Sequence, residues 1–447
     1  MRFANSRINH GEKRDHLQQI VRSSDVSYCS LKISVPSVFS VVYSSVIPSP
    51  RLRAGFGKNN MKKIFLALLV IIFLVLVGIF TIVPGRLEKS LNPTIALPPY
   101  QISASAKALH QQLFVSDLHA DSLLWNRNLL ERATRGHVDV PRLLEGNVAL
   151  QAFTIVSKSP RGLNIELNDD KSDNITLLAF VNLWPLKTLT SLKERALFQA
   201  SKLHEYAANS SGKLTVIKTK ADLEAYSKRR EKEQGITAGW LGIEGAQVLE
   251  GKADNVDVMF DAGFRMMSPA HFFDTEISGS AHGANKGGLT ELGKDIIKRM
   301  EAKKMFVDLA HASPQTIEDV LGIASRPIIV SHTGVKGTCE NRRNLSDDQL
   351  RRIAKTGGVI GIGFWDTATC GTDAKAIAKA IRHAVNVAGI EHIGLGSDYD
   401  GSVTAPFDTS GVALITEALM EEGFGAEEIK KIMGGNVQKL LLEYLPS

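Results

Sequence analysis

Eight short apolar runs, at residues 114–118, 148–156, 238–243, 264–268, 305–309, 327–331, 359–364 and 392–397, alternate with helix-like segments along most of this chain. Runs this short and this continuously apolar read as strands buried on both faces, the pattern of a parallel sheet with helical crossovers. Helical patterns lie between them, for example at 290–303 and 375–388. Ser313-Pro314 reads as an N-cap followed by proline at the first helical position. Ser346-Asp347-Asp348-Gln349 reads as a capping box opening a helix over 348–355. The longest interval, 157–237, is expected to hold two helices, near 173–184 and 190–209, and a charged connector at 228–233. No internal repeat is visible. Eight strands alternating with helices predict an α/β fold, a (β/α)8 barrel of the TIM type.

Four runs lead into residues that ligate metals. The first opens FVSDLHAD, with His119 and Asp121. Side chains at i and i+2 of a strand point the same way, so both can reach one ion if extended geometry continues that far. The third ends in WLGIEG with Glu244, the fifth in FVDLAH with His311, and the sixth in IIVSH with His332. A lone His-x-Asp is common in loops. Five ligand types at the C-terminal ends of four runs, where such barrels place their active sites, are a stronger coincidence. His110, His137, His204, His383 and His392 are expected to be hydrogen-bonded structural residues.

Three imidazoles and two carboxylates suffice for two metal ions. A carboxylate can bridge them by giving one oxygen to each, and Glu244 is the natural bridge. His119 and Asp121 would complete one site, His311 and His332 the other. Imidazole and carboxylate without thiolate suit two zinc ions best. Metal-activated water attacking an amide is the favoured reaction. Three further residues are expected where a substrate would lie. Asp398, in GLGSDYDG, could orient an amine or shuttle a proton, with Asp400 the weaker choice and a structural cap the plain alternative. Arg343, in CENRRN, could hold a carboxylate bidentately, although Arg342 beside it leaves the choice open. His271, in SPAH, could stabilise an oxyanion or merely support a neighbour.

The net charge of +6 comes from residues 1–60, where nine Lys/Arg face three acids, so the other 387 residues sum to zero. Nucleic-acid binding by the folded part is therefore not expected. Residues 64–83 carry no charge over twenty positions, enough to span a bilayer as a helix. Met61-Lys62-Lys63 precedes this run and no Ala-x-Ala site follows it, so an uncleaved anchor with a cytoplasmic N-terminus is expected. The division expected is a basic extension at 1–60, disordered or upstream of a true start at Met61, an anchor at 64–83, a linker at 84–106 and the barrel at 107–447. Cys29 precedes the anchor. Cys339 and Cys370 follow it, where disulfides persist, and are expected to pair, with two free thiols as the alternative.

From about residue 113 to 442 the chain resembles the membrane (renal) dipeptidases, binuclear zinc peptidases of the amidohydrolase-like barrels. DLHAD, GIEGA, DLAHAS, VSHTGVKGTCENRRN, HIGLGSDYDG and the late GGN at 434–436 carry the resemblance. It implies a binuclear zinc site of His119, Asp121, Glu244, His311 and His332, and a homodimer. It also implies contacts of His271 and Arg343 with the peptide and carboxylate of a dipeptide, and of Asp398 with its free amine. The segment 272–282 is unlike the animal enzymes, which places the pocket rim outside the resemblance. Those enzymes are lipid-anchored at the C-terminus. An N-terminal helix in that role implies a bacterial inner-membrane form facing the periplasm. A barrel lactonase or deaminase is the alternative within enzymes, and no lysine stands at a ligand-bearing strand end to favour it. A metal-free binding barrel would have lost a ligand, and all five are present.

Overall fold

The computed structural model describes residues 58–447. The expectations for the basic extension and Cys29 fall on residues outside that range, except for its last three. The first described element is the helix Lys58–Thr81, which contains all but the last two residues of the uncharged run and is long and apolar enough to cross a membrane.

Nine strands follow: β1 (Val115–Ala120), β2 (Val148–Val156), β3 (Leu214–Val216), β4 (Thr237–Glu244), β5 (Phe264–Met267), β6 (Phe306–Val307), β7 (Ile329–Thr333), β8 (Val359–Ile362) and β9 (Ile393–Leu395). Each of the eight apolar runs supplies one. All pairings between them are parallel, in the order β6-β5-β4-β2-β1-β9-β8-β7. The two ends of this path meet at a single parallel bridge, Asp308 with Ile329. The result is an α/β fold on a curled parallel sheet, consistent with a TIM-type barrel. Every residue of β1, β2 and β4 is buried, because helices cover one face and side chains fill the other.

β3 was not anticipated. It lies off the path and pairs with β4 within the long interval, where Leu214-Thr215-Val216 is too short to signal a strand. The two helices expected there are Asn174–Val181 and Leu192–Asn209. The charged connector is a correction: Lys228, Arg229 and Arg230 close the helix Lys220–Arg230, whose capping box is Thr219 with Asp222. Cations in a last turn complement the helix dipole, so the charge run marks a helix end. Both expected caps form, Ser313 before Pro314–Ile323 and Ser346 with Gln349 before Asp347–Lys355.

The expected linker is also more structured than its polarity suggests. It contains the helices Val83–Leu91 and Ala104–His110. Glu88 is 1% exposed, paired with Arg127 and at 2.6 Å with Arg135.

Along β4, alternate residues link the site to the sheet's packed floor. Trp240 and Glu244 share a face of β4, and Trp240 packs edge-on against Phe306 at 6.4 Å. At the other end of the strands, the GGN motif closes the structure. A Cβ on Gly434 would stand 2.0 Å from the carbonyl oxygen of Phe114. Asn436 donates from Nδ2 to the carbonyls of Ile390 and Ile393 at 2.7 and 2.8 Å.

Candidate active site

The five ligand types come together at the C-terminal ends of β1, β4, β6 and β7. Glu244 is central. Its Oε1 lies 3.0 Å from Nε2 of His311, 3.4 Å from Nε2 of His332 and 3.6 Å from Nε2 of His119. Its Oε2 faces Nε2 of His271 at 3.1 Å. Asp121 follows β1 and sets Oδ1 3.6 Å from Nε2 of His119 while accepting from the Thr154 hydroxyl at 2.7 Å. The chain turns away directly after Glu244 through Gly245, at φ 92°, a conformation that costs glycine little. His311 and Asp398 adopt positive φ, 61° and 60°, without being glycine. Such sparsely populated backbone persists where surrounding structure over-determines it.

Two residues assigned to substrate also stand within ligand reach. His271 groups with Glu244 and His311, and Asp398 with His119 and His332, the donor atoms in each group lying within 4.8 Å of one another. His119 forms a third such group with Asp121 and Glu244.

Burial dominates the electrostatics. It pushes His271, His311 and His332 well below the ordinary histidine range, leaving neutral imidazoles with lone pairs to give. Burial also lowers His119, but Glu244 and Asp121 outweigh it and raise that ring to about 10. Desolvation lifts Glu244 well above the carboxylate range, with Asp121 adding to it. Asp398 is pushed up to about 8, again by burial first. Nε2 of His119 and Nδ1 of His311 are buried without hydrogen-bond partners. Buried unpaired polar atoms are rare and ask for an explanation. Three imidazoles and two carboxylates around such atoms fit a divalent cation.

A cavity of about 250 Å³ opens beside this cluster. Asp121, Glu244, His271, His311, Arg343 and Asp398 supply its polar wall, and Leu124, Val156, Ile175, Phe272 and Trp365 an apolar one. Of the two arginines left open by sequence, Arg343 is the one that lines the cavity. Arg343 is 7% exposed, lines the cavity and donates to the carbonyl of His332 at 2.8 Å. Arg342 is exposed and pairs with Glu166 at 2.6 Å. The loops bearing Arg343 and Asp398 follow β7 and β9, with only β8 between them. Asp400 turns away from the cavity into an ion pair with Arg127. Cys339 and Cys370 are joined, tying the Arg343 loop to the one after β8.

The five histidines expected to be structural are all hydrogen-bonded away from the cluster, as with His110 to Thr416 at 2.8 Å and His383 to Asp347 at 2.7 Å. Two residues escaped the sequence reading. His282 lines the cavity with its ring 5.1 Å from that of His311, and burial lowers it to about 3. It lies in a loop after β5, far from any strand end, so no periodicity pointed to it. Ser331 sets its hydroxyl 2.9 Å from Nδ1 of His119 and 3.0 Å from Nδ1 of His332. Only the serine before a histidine in IIVSH hinted at this.

Comparison with known proteins follows the same lines. The family model of membrane dipeptidase, peptidase family M19, matches residues 103–444. Dipeptidase aclJ of Aspergillus oryzae is 26% identical over 356 residues, 73% of this chain and 77% of the relative. The fold is similar to that of a dipeptidase AC, a metallopeptidase of family M19, with TM-score 0.61, 23% identity and coverage of 75% of this chain and 99% of that one. It is also similar to a Rhodobacter sphaeroides metallopeptidase liganded with a phosphinate mimic of the dipeptide L-Ala-D-Ala, with TM-score 0.59, 22% identity and coverage of 74% and 99%.

Proposed function

Because this chain belongs to the membrane dipeptidase family, peptidase family M19, and is therefore a metallo-dipeptidase, we propose that it hydrolyses dipeptides with two zinc ions. His119, Asp121, Glu244, His311 and His332 would hold them. The observation that carries this reading is the placement of Glu244, whose Oε1 meets three imidazoles within 3.6 Å while Oε2 faces His271. A carboxylate so shared suits the bridging position, with His119 and Asp121 on one side and His311 and His332 on the other. When bound, two such cations would polarise the scissile carbonyl and make water nucleophilic near neutral pH.

The rest falls to the chain's own groups. Arg343 takes the substrate's terminal carboxylate with its guanidinium fork. Asp398 holds the free amine and carries a proton towards the leaving nitrogen. His271 donates to the oxygen on which charge develops. Leu124, Val156, Ile175 and Trp365 exclude water from the substrate's side chains.

The same reading makes residues 64–83 a single span of a bacterial inner membrane, with the (β/α)8 barrel of residues 107–447 on the periplasmic side, paired as a homodimer. Lys62 and Lys63, just before the span, favour a cytoplasmic N-terminus. The Cys339–Cys370 disulfide suits an oxidising compartment. Metal analysis of the purified full chain, with a panel of dipeptides, a lactone and an aminopurine, tests the reading. Two zinc ions per chain and dipeptide turnover are expected. Turnover confined to the lactone or the aminopurine would overturn it.

A further inference from the structure

The helix Asn174–Val181, NITLLAFV, has no polar face after its first turn. Ile175, Leu178 and Ala179 are buried, yet Leu177 and Phe180 are 58% and 51% exposed. Leu183 and Leu186 continue this face at 71% and 81%, and Leu163 and Leu167 precede it at 41% and 57%. A helix apolar all round is normally enclosed, by a core or by lipid. Exposed large apolar side chains gathered in one stretch of chain, here interrupted by the charged residues Glu166, Asp169 and Lys171, point to an interaction site.

The course of the N-terminal helix says what covers it. Its hydrogen-bond ladder runs on from Thr81 through Ile82 into Val83–Leu91: Ile82 donates to Gly78 at 3.0 Å and Arg86 to Ile82 at 3.1 Å. Glu88, buried between Arg127 and Arg135, fixes this segment to the barrel. Leu87 packs on the cluster that contains Leu124, Trp125 and Ile175. The ring of Phe80 meets that of Phe180 edge-on at 5.6 Å. Phe80 lies three residues, about 4.5 Å, before the end of the uncharged run. Whatever touches Phe80 shares its depth in the bilayer, and interfacial elements seat ~5–10 Å into the headgroup and acyl boundary.

We propose that the exposed side chains of Leu163, Leu167, Leu177, Phe180, Leu183 and Leu186 lie in the interfacial layer of the bilayer that the N-terminal helix crosses. The proposal rests on the reading of that helix as a span. Leu163 belongs both to this face and to the wall of the catalytic cavity, so the cavity's apolar side stands at the membrane surface. Continuity with the span favours lipid over a protein partner as the occupant.

The full chain in a Cys29→Ser background, reconstituted in phosphatidylethanolamine–phosphatidylglycerol vesicles, provides the test. Single cysteines replace Leu74 in the span, Leu183 and Leu186 on the face, or Glu427 at the far end of the barrel, and each carries an environment-sensitive fluorophore. Nitroxide-labelled lipids are expected to quench the labels at 74, 183 and 186 but not at 427. Quenching at 74 without quenching at 183 and 186 overturns this proposal and leaves the span standing. No quenching at 74 removes the span and this proposal together. Labels at 183 and 186 that are shielded from aqueous iodide yet unquenched by lipid would assign the face to a protein partner, which also overturns it.

Discussion

Asp398 and Asp400 stand two residues apart, both at positive φ, and their carboxylates serve different neighbourhoods. Asp398 lines the cavity beside His119 and His332. Asp400 is fully buried against Arg127, accepts from Ser122 at 2.5 Å and from the backbone N–H of His137 at 2.7 Å. Arg127 in turn pairs with Glu88. Asp398→Asn is therefore expected to lower kcat by ~10²–10⁴-fold, the usual worth of a proton-transferring group, with an unchanged melting temperature and metal content.

Asp400→Asn is expected to cost about 1–3 kcal/mol in urea unfolding, because it removes one of the two carboxylates that hold the buried Arg127 guanidinium and leaves only Glu88. Desolvation acts to raise Asp400, but Arg127 and His137 overcome it and hold the carboxyl below its usual range. A depressed folded-state value means stability that is present above the unfolded-state carboxylate pKa, about 3.9, and lost as pH falls through the folded one. The gap between wild type and Asp400→Asn should thus close in acid. A gap that widens below pH 4 would contradict the ion pair.

Glu244→Gln keeps the shape of the central residue and removes its charge. Zinc per chain should fall below two in equilibrium dialysis, with activity lost in proportion. Full metal content together with normal turnover would exclude Glu244 as the shared ligand.

Ser331 does not line the catalytic cavity, yet its hydroxyl can accept from Nδ1–H of both His119 and His332. That fixes the tautomer in which each Nε2 offers a lone pair. Ser331→Ala should weaken zinc binding by ~10–100-fold, as loss of such supporting partners does. A competitive chelator titration of metal affinity measures this apart from catalysis.

The Cys339–Cys370 bridge closes a loop of 31 residues in sequence separation. Its reduction should cost about 3–4 kcal/mol of stability in the chain-entropy account. Asn344, next to Arg343, donates to the carbonyl of Cys339 at 2.7 Å. Reduction should therefore also raise KM for dipeptides more than it lowers kcat. Two free thiols in the unreduced protein would refute the bridge.

Arg343 and Asp398 together should restrict substrates to two residues. Acetylating the amine or amidating the carboxylate of a good dipeptide should each depress kcat/KM strongly, since a buried charge is left unpaired. Arg343→Ala should mainly raise KM, and Arg342→Ala, on the outside of the loop, should change little. Equal rates on a dipeptide and a tetrapeptide would end the idea.

Much of this protein was legible in one dimension. Strand and helix periods are local, so the eight runs named eight strands and the alternation named the fold class. Because the strands are parallel, residues ending separate runs necessarily meet at one end of the sheet, which is why His119, Asp121, Glu244, His311 and His332 could be grouped before any contact was known. The caps at Ser313 and Ser346 are likewise short-range hydrogen bonds written in the sequence.

What tertiary structure alone decided are the directions of side chains in irregular loops and the partners of isolated polar residues. Arg342 and Arg343 are chemically alike and adjacent, and only the turn of their loop sends one inward. His282 reaches the cavity through a long loop without period. Ser331 matters because two distant strands bring His119 and His332 to its hydroxyl. Glu88 looks like linker until Arg127 and Arg135, some forty residues away, close around it. Local sequence fixes what repeats every two or 3.6 residues; contacts across tens to hundreds of residues depend on packing that no local period encodes.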